Sequence, residues 1–194
     1  KNYNISQRIE AEEFALDNAA MVIASTTQEV ELQYSVYDNY EPHNMVVIPP
    51  GVELERFHPP GRASPKPPIY PELERFLKEP RKPVILALSR PDERKNFATL
   101  LRAYGEHQEL QSAANLILLV GNRDDIQAME KGPRGVLNEI LMLIDRYDLY
   151  GRVAYPKHHH SDDVPLLYRL AAKSGGVLIN PALTEPFGLT LIEA

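Results

Sequence analysis

The run Gly176-Val177-Leu178-Ile179-Asn180-Pro181-Ala182-Leu183-Thr184-Glu185-Pro186-Phe187-Gly188-Leu189-Thr190-Leu191-Ile192-Glu193-Ala194 reads as a short apolar strand, a proline-bounded loop, and a helix starting near Phe187. One carboxylate, Glu185, stands at the mouth of that helix. A second, Glu193, comes about two turns in. A strand feeding a helix N-terminus is where α/β sheets hold their ligands. The first N–H groups of a helix have no intrahelical partner, so Phe187, Gly188 and Leu189 offer donors to a phosphate. Gly188 carries no Cβ to block the approach. The plainer alternative is an acidic helix start with a solvated Glu, which the helix dipole favours by itself. Leu189, Leu191 and Ile192 open an apolar helical face that reaches Ala194 without a C-cap, and this predicts a piece of a longer chain.

Working upstream, the same alternation of strand and helix recurs. Val84–Leu88, Leu116–Val120 and Gly151–Tyr155 read as strands. A helix opening at Phe97, with Asn96 as its cap, succeeds the first. An amphipathic helix over Val136–Tyr147 succeeds the second, and Val164–Ala172, capped by Ser161 or Asp162, succeeds the third. Strands rich in Val, Ile and Leu between helices imply an α/β fold with a parallel sheet. The first 48 residues give a shorter version: a helix near 5–20, a strand at Met21–Ser25, a Thr26-Thr27-Gln28-Glu29 capping box opening a helix to about Tyr37, and a strand at Met45–Ile48. Between the two lies a stretch dense in proline, from Pro49-Pro50-Gly51 to Pro71. Loops above ~15 residues are uncommon inside a domain. Residues 1–48 are therefore predicted to end one doubly wound domain. Residues 49–70 are predicted to form an interdomain linker with few contacts to either core, and 71–194 the larger part of a second domain.

Composition narrows the function. The chain has 194 residues, a formal net charge of −6 and no cysteine. Acidic balance disfavours nucleic acid as a partner. No window approaches the ~20 apolar residues of a membrane span, and lack of cysteine suits a reducing, cytoplasmic setting. The pattern G-x-x-x-x-G-K-[ST] of P-loop proteins is missing, as are G-x-G-x-x-G of dinucleotide dehydrogenases and G-x-S-x-G of serine hydrolases.

Two further loops carry chemistry. Ser89-Arg90-Pro91-Asp92-Glu93-Arg94-Lys95-Asn96 places cations between a strand and a helix. Arg90, as a fork, and Lys95, as a mobile charge, suit a diphosphate. The competing reading is a surface loop in which Asp92 and Glu93 neutralise their neighbours. Pro156-Lys157-His158-His159-His160 holds three consecutive histidines. Adjacent residues cannot all face one ion, so no metal is assigned; the loop is read as binding a base through its backbone.

With these residues in view, the chain resembles the retaining Glu-x7-Glu glycosyltransferases of the GT-B fold, through Arg90, Lys95, Glu185-Pro186-Phe187-Gly188-Leu189 and Glu193. Longer segments resemble the sucrose-phosphate synthases: Arg8–Glu13, Val47–Gly51, Pro83–Asp92, Gly121–Asp125, Leu143–Gly151 and Val153–His159. The resemblance implies two Rossmann-like domains, with residues 1–48 ending the acceptor-binding one and 71–194 forming a truncated donor-binding one. It implies transfer of glucose from UDP-glucose, or ADP-glucose, to fructose 6-phosphate, giving sucrose 6-phosphate and the nucleoside diphosphate with retention. No cofactor or metal is implied. By position, Arg90, Lys95 and Glu185 would be catalytic. His158 and Val164 would lie at the base, Phe187, Gly188 and Leu189 at the donor, Glu193 at the ribose, and Arg8 at the acceptor phosphate. Related sequences usually carry two adjacent arginines at that last position, where this chain has Gln7-Arg8. Sucrose synthase or another GT-B glycosyltransferase, and a nucleotide-sugar-binding domain without catalysis, are the alternatives.

Overall fold

The computed structural model describes residues 4–185 and 187–194. Its contacts divide into two units, Lys1–Val52 with Glu185–Leu189, and Glu53–Thr184 with Thr190–Ala194.

In the first unit, α1 (Ile5–Asn18) leads to β1 (Val22–Ala24), and β2 (Met45–Val47) pairs with β1 in parallel, Val22 opposite Met45. Half of the expected capping box forms: Thr26 Oγ1 accepts from the Glu29 N–H at 3.1 Å, but Glu29 Oε2 accepts at 2.6 Å from the N–H of Ser25, one residue before the cap, and not from that of Thr26. The helix it opens is not the regular one expected, because Glu29–Gln33 is π-helical and Tyr34–Val36 is 3₁₀. Carboxylates on α1 hold the turn that ends this segment. Glu13 accepts from the N–H groups of Asp38 and Asn39 at 2.7 and 2.9 Å, and Glu12 accepts from the Tyr37 hydroxyl.

The second unit contains α2 (Tyr70–Glu74), β3 (Val84–Ser89), α3 (Phe97–Glu106), α4 (Gln108–Ala113), β4 (Asn115–Val120), α5 (Lys131–Arg146), β5 (Val153–Ala154), α6 (Asp163–Lys173) and β6 (Val177–Leu178). The last element of the chain is α7 (Leu189–Glu193). The four strands form one parallel sheet in the order β5-β4-β3-β6. Continuous apolar runs make these strands because both faces of the sheet are covered. Side chains alternate between the faces. Ile85, Ala87, Leu116, Leu118 and Val120 pack under α3 and α5. Val84, Leu86, Ile117, Leu119 and Ala154 pack against Leu73 of α2 and Leu167, Tyr168 and Ala171 of α6. Burying each large apolar side chain contributes ~1.5–3 kcal/mol.

The chain steps from β3 to β4 to β5 in one direction, then crosses back through α6 to place β6 on the far side of β3. The carboxyl ends of β3 and β6 therefore flank a topological switch point, where open α/β sheets bind ligands. Gly176 permits that last pairing. A Cβ there would lie 2.0 Å from the Val84 carbonyl oxygen.

Several expectations need correction. Residues 53–70 are not a loosely attached linker but part of the second unit. Ile69 is buried and Phe57 packs on the same core face. Arg169 donates to Arg56 O at 3.0 Å, and Lys173 to Arg62 O and Ser64 O at 3.2 and 3.1 Å. Proline density stiffens a segment, but two apolar anchors suffice to dock it. Helix α5 begins at Lys131, a turn before Val136. Asn96 does not cap α3 with its side chain; it has left-handed backbone, φ +56°, and its amide reaches across to Pro181 O. Asp162, and not Ser161, flanks the start of α6, and its side chain makes no capping bond; it pairs with Arg56 at 2.9 Å.

Candidate functional site

At the switch point, the loop after β3 is shaped by one internal ion pair. Asp92 accepts from the Arg94 backbone N–H at 2.9 Å and from its guanidinium at 3.1 and 2.8 Å. These bonds hold the Asp92 carboxyl well below the usual carboxylate range. The loop's acid thus goes to Arg94 and not to Arg90, which is exposed. Lys95 closes the 3₁₀ turn Glu93–Lys95. The loop after β6 is tied to this one: Leu183 N donates to Arg94 O at 2.9 Å and Asn96 Nδ2 to Pro181 O at 3.1 Å. A cavity of about 860 Å³ lies between Arg90–Glu93 and the first turns of α5, with Lys131 on its far wall. That volume is of the size that holds a drug-sized ligand.

The other half of the carboxyl edge is built from the loops after β4 and β5. Gly121 ends β4 with φ +62° and turns the chain sharply. Asn122 and His159 exchange two bonds, Nδ2 to His159 O at 3.0 Å and His159 N to Oδ1 at 2.9 Å. Arg123 is 7% exposed; its Nη1 donates to Pro156 O and its Nη2 to Tyr155 O, both at 3.0 Å, and its N–H to Lys157 O at 2.9 Å. Lys157 Nζ donates to Asp124 O at 2.8 Å. Burial lowers the basicity of both Arg123 and His159. Asp163, 2% exposed, closes the arrangement from α6. Its Oδ2 accepts from His160 N at 2.8 Å and its Oδ1 from Ile69 N at 3.1 Å.

The predicted site residues fall in both units. Arg90, Lys95, His158, Val164 and Glu193 lie in the second, while Arg8 and Glu185 to Leu189 group with the first. His158 is exposed, with Nε2 3.2 Å from Asp124 Oδ1. Val164 is in the first turn of α6 and half-buried. Glu193 accepts from the buried Tyr168 hydroxyl at 3.2 Å, and the Tyr168 ring leans on Phe57. Arg8 is an exposed residue of α1. The helix expected near Phe187 starts two residues later, at Leu189, after a buried Gly188 with φ +80°. Pro186 lies outside the described residues. Among the described residues there is no group of three His, Asp or Glu poised for a metal ion, and no helix long and apolar enough to cross a membrane.

Sequence reasoning places Asn122 and Arg123 within the Gly121–Asp125 resemblance but gives them no role, and it misses Asp163 and Tyr168 as contributors to this edge. The signal all four share is position, each falling in a strand-to-helix loop or the first turns of the helix after it.

No protein-family model matches the chain. It is 49% identical, over 99% of its length, to a probable sucrose-phosphate synthase 5 of Oryza sativa subsp. japonica, of which it spans 23%. It is 48% identical, again over 99%, to sucrose-phosphate synthase 1 of Arabidopsis thaliana, of which it spans 22%. The chain thus spans under a quarter of the length of these relatives. In three dimensions, 97% of it superposes on 41% of the sucrose-phosphate synthase of Thermosynechococcus elongatus, with a TM-score of 0.68 and 26% identity. The fold is that of the GT-B glycosyltransferases.

Proposed function

We propose that this chain, similar along nearly all its length to sucrose-phosphate synthases, serves in a retaining glucosyltransferase. That enzyme would move glucose from UDP-glucose to fructose 6-phosphate, releasing UDP and sucrose 6-phosphate. Residues 1–48 would complete the acceptor-binding domain, and the unit from Glu53 onward would bind the donor. The observation that carries this reading is the switch point: in a chain so related, the tied loops after β3 and β6 hold Arg90 and Lys95 at the sheet's carboxyl edge.

The chemistry rests on charge. As the glycosidic bond breaks, negative charge grows on the departing diphosphate. Fixed cations lower the barrier most where charge develops. Arg90 and Lys95 are assigned that role, so the leaving group's charge is met by protein side chains and no metal or other cofactor is invoked. Glu185 is assigned to the glucose hydroxyls, and the backbone N–H groups of Phe187, Gly188 and Leu189 to the donor. Glu193 is assigned to the ribose, His158 and Val164 to the base, and Arg8 to the acceptor phosphate. A cytoplasmic location is part of the same reading.

The deciding experiment measures initial rates of nucleoside diphosphate release by the full-length enzyme. UDP-glucose with fructose 6-phosphate should support turnover. Equal rates with free fructose would instead favour a sucrose synthase, and faster rates with ADP-glucose would reassign the donor. Binding of UDP without transfer to either acceptor would leave a nucleotide-sugar-binding protein.

A further inference from the structure

We propose that Asn122 and Arg123 are positioning residues for the donor's base, setting the backbone of His158 at a fixed place on the carboxyl edge; this rests on the proposed function. Most backbone polar groups of the loop after β5 already have partners within the protein. The carbonyls of Tyr155, Pro156 and Lys157 accept from Arg123. His159 spends both its N–H and its C=O on Asn122. His160 gives its N–H to Asp163 and receives the Asp163 N–H. Between Lys157 and His160, and among the described residues, this leaves unpaired only the Lys157 N–H and both backbone groups of His158. Exposed His158 therefore keeps one backbone donor and one backbone acceptor available to a ligand. That pair complements a uracil edge, through its N3–H and a ring carbonyl. It complements an adenine edge equally, through N6–H and N1.

The cost of Arg123 argues the same way. Its guanidinium is buried with no ion-pair partner among the described residues, and its Nε bonds to nothing there. Burying a charge so is expensive, and an apolar side chain of similar volume would often serve stability as well or better. What an apolar residue cannot do is bridge two successive carbonyls with a planar fork. Asn122 adds a second, independent brace two residues further along the loop. Recognition by a single backbone donor–acceptor pair tolerates little displacement, so bracing of this kind governs affinity.

The test uses the full-length protein with Asn122→Ala and Arg123→Lys. Asn122 is exposed, so its truncation leaves the core intact even if the Arg123 variant unfolds. Calorimetry measures UDP affinity, and initial rates give the KM for fructose 6-phosphate and kcat. The expected result for Asn122→Ala is about tenfold weaker UDP binding, with the fructose 6-phosphate KM and saturating kcat within about twofold of wild type. Arg123→Lys should weaken UDP binding at least as much. Unchanged UDP affinity in Asn122→Ala overturns the inference. So does a parallel loss of UDP affinity, acceptor affinity and kcat, which would mark a merely structural role. A wild-type protein that binds no UDP defeats the functional reading itself.

Discussion

Replacing Asp163 by Ala should open two places at once that are far apart in sequence. Its carboxylate, 2% exposed, receives the N–H of His160 at 2.8 Å and that of Ile69 at 3.1 Å. Hydrogen bonds to a charged acceptor contribute ~1.5–3 kcal/mol each. Loss of one therefore corresponds to about 10- to 150-fold faster exchange of the amide that made it, where local opening governs exchange. Amide hydrogen exchange resolves the two sites separately, so the experiment needs no assumption of two-state unfolding for a chain of two units. In Asp163→Ala, Ile69 and His160 should both accelerate, while Leu118 in central β4 stays protected. Asp163→Asn is sharper. One oxygen remains, and the new NH₂ would face a donor. Ile69 is buried and has no solvent alternative, whereas His160 is exposed. The remaining oxygen should go to Ile69, leaving only His160 accelerated. Equal exchange at both amides in wild type and Asp163→Ala would refute the argument. Acceleration as large at Leu118 would show that the unit opens as a whole.

Three other outcomes are expected. Lys95→Ala in the full-length enzyme should lower kcat by ~10²–10³ with the melting temperature nearly unchanged, and Arg90→Lys should also impair turnover; near-normal kcat in both would reduce this loop to a solvated one. Gly176→Ala would set a Cβ 2.0 Å from Val84 O and 2.6 Å from Val84 N; since backbone cannot rotate aside, it should cost at least the ~1–3 kcal/mol of ordinary over-packing, read as a lower melting temperature, and an unchanged one would count against the β3–β6 pairing. Burial pushes the Tyr104 hydroxyl up from 10.0 to about 12; the unfolded chain ionises first, so stability should fall as pH rises across that window, and Tyr104→Phe should make the fall shallower in alkaline denaturation.

Legibility in the sequence tracks pattern. Val84–Ser89 and Asn115–Val120 are legible because burial on both faces leaves unbroken apolar runs. The loop cations Arg90 and Lys95 are legible because they interrupt such a run just before a helix. The short helices α2 and α4 escape, being too brief for a periodicity to emerge. Helix α2 is further disguised by Pro71, which a first helical turn accepts without penalty. Phe57 and Ile69 are single apolar residues among prolines, and nothing local reveals that they dock. Asn122 and His159 meet across two loops, and neither spacing nor composition encodes that contact. Arg123 stands in a polar run that reads as surface; only its burial shows otherwise.

The return of β6 to the open side of β3 also bears on how the protein is made. Strands β3 and β4 pair along six residues and lie close in sequence, whereas β6 pairs with β3 at only Ile85–Val177 and Leu86–Leu178. Closing that pairing spans roughly ninety residues, a loop-closure cost met only after the intervening helices are in place. During synthesis from the N-terminus, β3 therefore waits with one edge bare until β6 emerges. A bare strand edge invites pairing with other chains. The switch point is completed only once β6 has emerged, and synthesis that stops before Gly176 would leave a half-sheet whose exposed border is the wall on which the site is later built.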